Sequence, residues 1–328
     1  MFQSLTDLWI EIQSQLQEVV QPLVHDLGLT EFYDDVPTGL ELLTMGVLQI
    51  AVILLVFRPL ESLAPAQRWE NRRLVRVDIV YTVLNKLGVI PLAIFLVLLP
   101  VNDELIELTR TVGFVLPTVE QVIPWLGDKP LVLFLVYFLL YDLAGYLWHR
   151  AQHALPWLWA LHSLHHSQRQ VSTWTDDRNH VLDDLLFDLY LAIVAILIGV
   201  QPGQFIAILM LGRLIEAFSH VNTRFGFGRI LDKALVDPMF HRTHHARANP
   251  TEPRIHDTNF SAVFPIWDIL FRTAHYDYKQ RDSGLDDPIA DRDNDKGFIG
   301  QQIAGLARLG RAIARTFSSR APRPTPAE

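Results

Sequence analysis

The chain has 328 residues, 50% of them hydrophobic and 20% charged, with a formal charge of -8, 13 histidines and no cysteine. A disordered chain would be poor in large apolar residues and a nucleic-acid-binding domain would be basic, so both classes are excluded. Without thiols there is no disulfide framework, thiolate zinc site, iron-sulfur cluster or cysteine nucleophile, and metal chemistry falls to nitrogen and oxygen ligands.

A mean hydropathy of +0.19 is high for a soluble chain of this size and directs attention to membrane spans. The first segment, residues 1–38, places Leu5, Leu8, Trp9, Ile12, Leu16, Val19, Val20, Leu23 and Leu27 at helical spacing, the pattern of an amphipathic helix at a membrane interface or packed on protein. It lacks the basic start of a cleaved signal peptide. Residues 39–148 then hold three apolar stretches long enough to cross a bilayer: 40–57, 77–99 (interrupted by Asn85, Lys86 and Pro91) and 130–148. A further pair, 185–200 and 203–218, reads as a hairpin of two short spans around Gln201 and Pro202, or as a buried hairpin of a soluble core. About four to five spans are expected. Basic residues support this topology. The first 57 residues carry eight acids and no Lys or Arg, the loop 58–76 carries five arginines, and the chain after Phe218 carries sixteen basic residues. The bias places the N-terminus outside and His149 on the cytoplasmic face. The expected architecture is therefore an all-α polytopic membrane helical bundle with a cytoplasmic, histidine-rich helical cap at 149–275, which includes the hairpin at 185–218. Residues 276–328 add a basic amphipathic helix (Ile303, Leu306, Leu309, Ile313, Phe317 with Arg308, Arg311, Arg315), suited to an anionic lipid surface, and a disordered tail.

Ten histidines fall between His149 and His245. His149 and His153 stand at i and i+4; His162, His165 and His166, and again His241, His244 and His245, stand at i, i+3 and i+4. Such positions share a helix face and can share a metal, whereas adjacent histidines point about 100° apart, so each HH pair can serve two neighbouring metals. His180 and His220 stand singly. His25, His256 and His275 read as ordinary hydrogen-bonded imidazoles. The carboxylates Asp176, Asp177, Asp183, Asp184, Asp237 and Asp257 are candidates for orienting ligand imidazoles, although a solvated loop face is the default for any one of them. Asp142 lies one heptad before His149, where it would support the first histidine pair or meet Lys86.

The series H-x-x-x-H, H-x-x-H-H, H-x-x-H-H after membrane helices resembles the fatty acid hydroxylase and sterol desaturase superfamily of membrane non-haem di-iron oxygenases. The resemblance runs from about Tyr146 to Thr273. It takes in Arg178 and His180 in STWTDDRNH, His220 and Asn222 in SHVNTRFG, Pro238 and His241 in LVDPMFHRTHH, and Asp257, Asn259, Trp267 and Asp268 near its end. Val181, Leu182, Asp183 and Asp184 stand where the family usually has Pro-x-Glu, and Asn259, Phe260, Ser261 where it has Asn-Tyr-Gly. The resemblance implies that His180 and His220 join the eight clustered histidines as ligands, about five imidazoles for each of two iron ions. It implies O2-dependent hydroxylation of a C–H bond in a membrane lipid, be it a fatty acyl chain, an alkyl lipid or a sterol-like skeleton. Desaturation at the same site is the alternative. Imidazoles alone do not name the metal, so zinc is a possible substitute for iron, and a zinc-dependent lipid hydrolase or a metal transporter is a further reading. With no glycine-rich dinucleotide fingerprint in the chain, electrons would come from a separate ferredoxin, or a cytochrome with its reductase.

Overall fold

The computed structural model describes residues 2–69, 71–111, 113, 117–200 and 202–318; the tail at 321–328 and the turn residue Gln201 lie outside them. Among the described residues the fold is helical, without a named strand. Helix α1 (Phe2–Asp26) packs on α2 (Val36–Val52), the protein contact its pattern allowed, and leaves Leu8, Val19 and Leu23 exposed. From α2 the chain runs on through a π-helical turn, Ile53–Phe57, into Arg58–Leu63. Helices α3 (Arg73–Lys86) and α4 (Val89–Thr111) follow, bent by 51° at Leu87 and Gly88. Gly46 lets α2 approach this bend, for a Cβ there would collide with the backbone carbonyl of Lys86.

Helix α5 (Pro130–Ala154) opens with a proline, where the missing N–H costs nothing, and stops at Leu155 because the following Pro156 disfavours helical backbone before it. That same proline opens α6 (Pro156–His166). One extended residue thus joins the helix bearing His149 and His153 to the one bearing His162, His165 and His166. Helix α7 (Val181–Ile198) ends at Gly199, whose φ of 66° is the left-handed conformation that glycine adopts without strain, and α8 (Pro202–Ser219) returns antiparallel. Tyr137, Phe138 and Tyr141 of α5 pack with Leu191 of α7 and Ile208 of α8 to form the principal apolar core. Helix α9 (Pro238–His244) is capped by Asp237, whose carboxylate accepts from the Phe240 N–H at 2.8 Å, and α10 (Ile266–Phe271) is short. The long α11 (Phe298–Ser318) lies against α6.

By length and composition, two helices among the described residues are fit to cross a membrane, Thr30–Leu63 and Pro130–Ala154, or three if the bent pair α3 and α4 forms one span. The hairpin expected at 185–218 is present as α7 and α8 but does not add to that number. Each has 18 residues; α7 carries Asp183, Asp184 and Asp188, and α8 carries Arg213 and Glu216. Charge, including Asp183 and Asp184 in the first turn that precedes the expected stretch, lowers the apolar character of each whole helix.

Candidate metal centre

Nine of the ten expected histidines converge into two groups, and in each group one ring nitrogen per residue lies within 4.8 Å of all the others. The first comprises His149, His153, His162, His166 and His244. The second comprises His165, His220, His241 and His245. Each adjacent pair is divided: His166 and His244 serve the first group, His165 and His245 the second. This is the outcome of the 100° step between neighbouring helical side chains. Across each divided pair the ring centroids are 5.5 Å apart.

Backbone carbonyls fix the tautomers. The Nδ1–H of His149 donates to Phe260 O (2.8 Å), that of His220 to Glu216 O (2.8 Å) and that of His244 to Thr258 O (2.7 Å), which leaves each Nε2 as an inward lone pair. Within the second group Nε2 atoms approach to 3.0 Å (His241 to His220), 3.1 Å (His241 to His245) and 3.2 Å (His220 to His165 and to His245). Lone pairs facing one another at this distance repel unless a cation lies between them. Adjacent ligands of an octahedral ion with bonds of about 2.1 Å are separated by about 3.0 Å, so the spacing suits a first-row divalent metal. The Nε2 atoms of His149 and His244 and both nitrogens of His162 are buried without a hydrogen-bond partner, the condition expected of metal donors. Burial, reinforced by neighbouring imidazoles, pushes His165, His166, His241, His244 and His245 well below the usual histidine range, and burial lowers His220 to about 4. At neutral pH these rings are uncharged and ready to coordinate.

His180 stands apart. Its Nδ1 accepts from Leu182 N (3.1 Å), capping α7, and its Nε2 donates to Gln302 O (2.9 Å) on α11. Both ring nitrogens are engaged, so the structure does not bring this tenth histidine to either group. Among the candidate carboxylates, Asp183, Asp176 and Asp257 each have an oxygen 3.4 Å from the Nδ1 of a clustered histidine, His162, His220 and His153 respectively. Asp177 instead faces Lys86 (3.1 Å), which also reaches Asp176 (3.7 Å). Asp142 takes neither expected role. Its oxygens accept from Val263 N and Phe264 N, both at 2.9 Å, and tie the strand of chain before α10 to α5. His25 is on the exposed face of α1, and His256 stacks on Trp159 at 5.8 Å beside the first group without entering it. His275 has a nitrogen near Glu252 and Asp277, two carboxylates already held by Arg281.

The resemblance took in Arg178, Asn259 and Asp268, and the fold gives each a supporting place around the histidines, together with partners that carried no sequence signal. Buried Arg178 donates to Asp78 of α3 (2.7 Å), to the Leu164 carbonyl near the end of α6 (3.2 Å) and to Ser167 Oγ (3.0 Å), fastening the second histidine helix to the membrane-facing layer. Gln152 donates to both oxygens of Asp183, and Asn259, at φ 59°, bridges Phe240 O and the His275 backbone. Asp268 accepts from Phe260 N and Ser261 N, positioning Phe260 against His149, His153 and His244. Arg178, Asn259 and Asp268 therefore shape the site without entering it, and an isolated buried Asp such as Asp78 carries no spacing signal.

Known proteins match this same region. The fatty acid hydroxylase family profile covers residues 134–273, which begin in α5 and end just after α10. This histidine-bearing region is a fatty acid hydroxylase domain. Alkylglycerol monooxygenase of Caenorhabditis elegans is 31% identical over 155 residues, 46% of this chain and 28% of its own length; the Homo sapiens protein of that name is 28% identical over 167 residues, 51% of this chain and 35% of its own. A cholesterol 25-hydroxylase-like protein of Danio rerio is 24% identical over 164 residues, 47% of this chain and 62% of its own. The chain thus spans about a third of the length of the alkylglycerol monooxygenases it matches. No solved structure matches it.

Proposed function

We propose that the protein is an integral membrane oxygenase which inserts one oxygen atom of O2 into a C–H bond of a lipid. The observation that carries this reading is the pair of all-imidazole groups, divided at His165/His166 and at His244/His245. The nine histidines would hold two iron ions, whose chemistry when bound is the reduction of dioxygen and oxidation of an unactivated C–H bond; zinc has no redox chemistry to offer. The chain's own contribution is to hold the imidazoles neutral, to fix their tautomers through Phe260, Glu216 and Thr258 carbonyls, and to exclude water from the first group with the Phe260 ring. The α7–α8 hairpin joins α5 to complete the bundle, with the histidine cap on the cytoplasmic side, where a separate ferredoxin or cytochrome with its reductase docks. Hydroxylation is favoured over desaturation because the relatives carry the names monooxygenase and hydroxylase.

The test begins with lipid profiling of cells with and without the protein, followed by turnover of the accumulating lipid under 18O2 with a reductant. One labelled oxygen in the product is the expected result. Product formation with zinc alone and no O2 would refute the oxygenase reading, and an unlabelled olefin would replace hydroxylation by desaturation.

A further inference from the structure

Helix α11 presents its apolar side outward. Ile299 (66% exposed), Ile303 (63%), Leu306 (50%), Ile313 (44%) and Phe317 (66%) are all accessible. At 100° per residue these five side chains, with Gly310, fall within an arc of about 80°. The opposite face, which touches the protein, is polar or small except for Phe298, whose ring packs on Tyr81 (4.7 Å): Gln301 and Arg308 are buried, and Gly305 is so close to His180 that a Cβ there would collide with its ring. The helix is also bonded to the chain on this face and at its flank. Gln302 Nε2 donates to Tyr81 Oη (2.9 Å) and its Oε1 accepts from Val181 N (2.9 Å), while Arg308 donates to Ala160 O of α6 (3.0 Å) and to Asp293 (2.6 Å). A helix buried by its polar face and exposed by its apolar stripe has the inverse of the arrangement that water favours.

We infer that α11 is an in-plane membrane helix, its apolar stripe immersed in the acyl boundary of an anionic leaflet while its inner face clasps the histidine helix α6. Charge selects this occupant. The helix contains no Asp or Glu, and its exposed Arg311 and Arg315 stand about 80° or more beyond the edge of the stripe, on the polar side that would face the headgroups and water, with Arg320 and Arg323 following in the sequence. Such a helix binds by buried apolar area together with attraction of its arginines to anionic headgroups. A second copy of the same helix would gain nothing from these arginines, whereas an anionic leaflet attracts them. Because α11 packs along α6, its placement on lipid sets the height of His162, His165 and His166 relative to the bilayer surface. The inference concerns orientation and is read without turnover, so its failure and that of the oxygenase proposal are distinguishable.

The chain lacks cysteine, so an introduced one is unique. The full-length variant Ile303→Cys, carrying an environment-sensitive fluorophore, is compared with Asp286→Cys in an exposed loop, each as one copy per nanodisc. Nanodiscs are made of phosphatidylcholine alone or with about a third phosphatidylglycerol, a fraction chosen to supply a clear negative surface. At position 303 the expected result is several-fold stronger quenching by acyl-chain doxyl lipid and several-fold weaker quenching by iodide than at 286. The contrast should be larger with phosphatidylglycerol and reduced by Arg311→Glu with Arg315→Glu. Equal quenching at 303 and 286 would overturn the inference, as would protection of 303 seen only when two copies share a disc. Indifference to phosphatidylglycerol would overturn its anionic part.

Discussion

The metal-free protein should lose stability steeply as pH falls through 6.5. Histidine is ordinarily half-protonated near that pH, so the unfolded chain takes up protons below it, while imidazoles kept neutral by burial do not. His220, lowered to about 4, thus costs the folded state about 1.4 kcal/mol at pH 5.5 relative to neutral pH. His165, His166, His241, His244 and His245 are pushed in the same direction by burial and by one another, so each adds a penalty of the same sign. The sign is one-directional: the native rings resist protonation, so the penalty is absent well above pH 6.5 and grows below it. At about 2 °C per kcal/mol for a chain of this size, the His220 share alone should lower the melting temperature of chelator-treated protein by about 3 °C between pH 7.5 and 5.5, and the other five histidines should deepen the fall. Differential scanning fluorimetry in detergent measures this directly. A melting temperature flat across that interval would refute the claim that the imidazoles are buried and neutral without metal.

Other consequences follow from the same geometry. His165→Ala and His244→Ala should each lower bound iron from two per chain toward one, measured by plasma mass spectrometry, while His25→Ala retains both; unchanged stoichiometry in the two cluster variants would remove the ligand assignment. His180→Ala should keep both ions and cost about 1 kcal/mol through the lost helix cap, and loss of an ion would restore His180 as a ligand. Arg178→Met leaves Asp78 as a buried, unpaired carboxylate and should destabilise the fold by about 3–5 kcal/mol, with a substantial part recovered in the double variant Asp78→Asn, Arg178→Met. Additive losses in that cycle would mean that the pair is not coupled.

The divided HH pairs were legible in the sequence because helical geometry converts spacing into direction without reference to anything distant. The same is true of the long apolar stretches around α2 and α5. His180 was less legible. It stands singly in the sequence and its resemblance to a family position pointed to the metals, whereas in the fold its ring bonds to Gln302, 122 residues away. Asp142 and Lys86 likewise found partners that lie far off in sequence, Val263 and Phe264 for the one, Asp176 and Asp177 for the other. The hairpin was legible as a pair of apolar helices, but where Asp183, Asp184 and Asp188 stand around the first of them is set by packing that the sequence does not show. The amphipathic pattern of α11 was visible, but amphipathicity does not say which face meets protein.

The two divided pairs also act as rulers. Consecutive Cα atoms across a trans peptide are about 3.8 Å apart regardless of packing. In His165–His166 and again in His244–His245, this covalent length spans the interval between the two imidazole groups, with the same 5.5 Å ring separation on two independent helices. Side-chain packing elsewhere in the protein can yield by tenths of an ångström; a peptide unit cannot be stretched. The gap between the two centres is therefore gauged twice, from opposite sides, and inserting one residue within either pair would turn a ring away by a helical step and dismantle both groups at once.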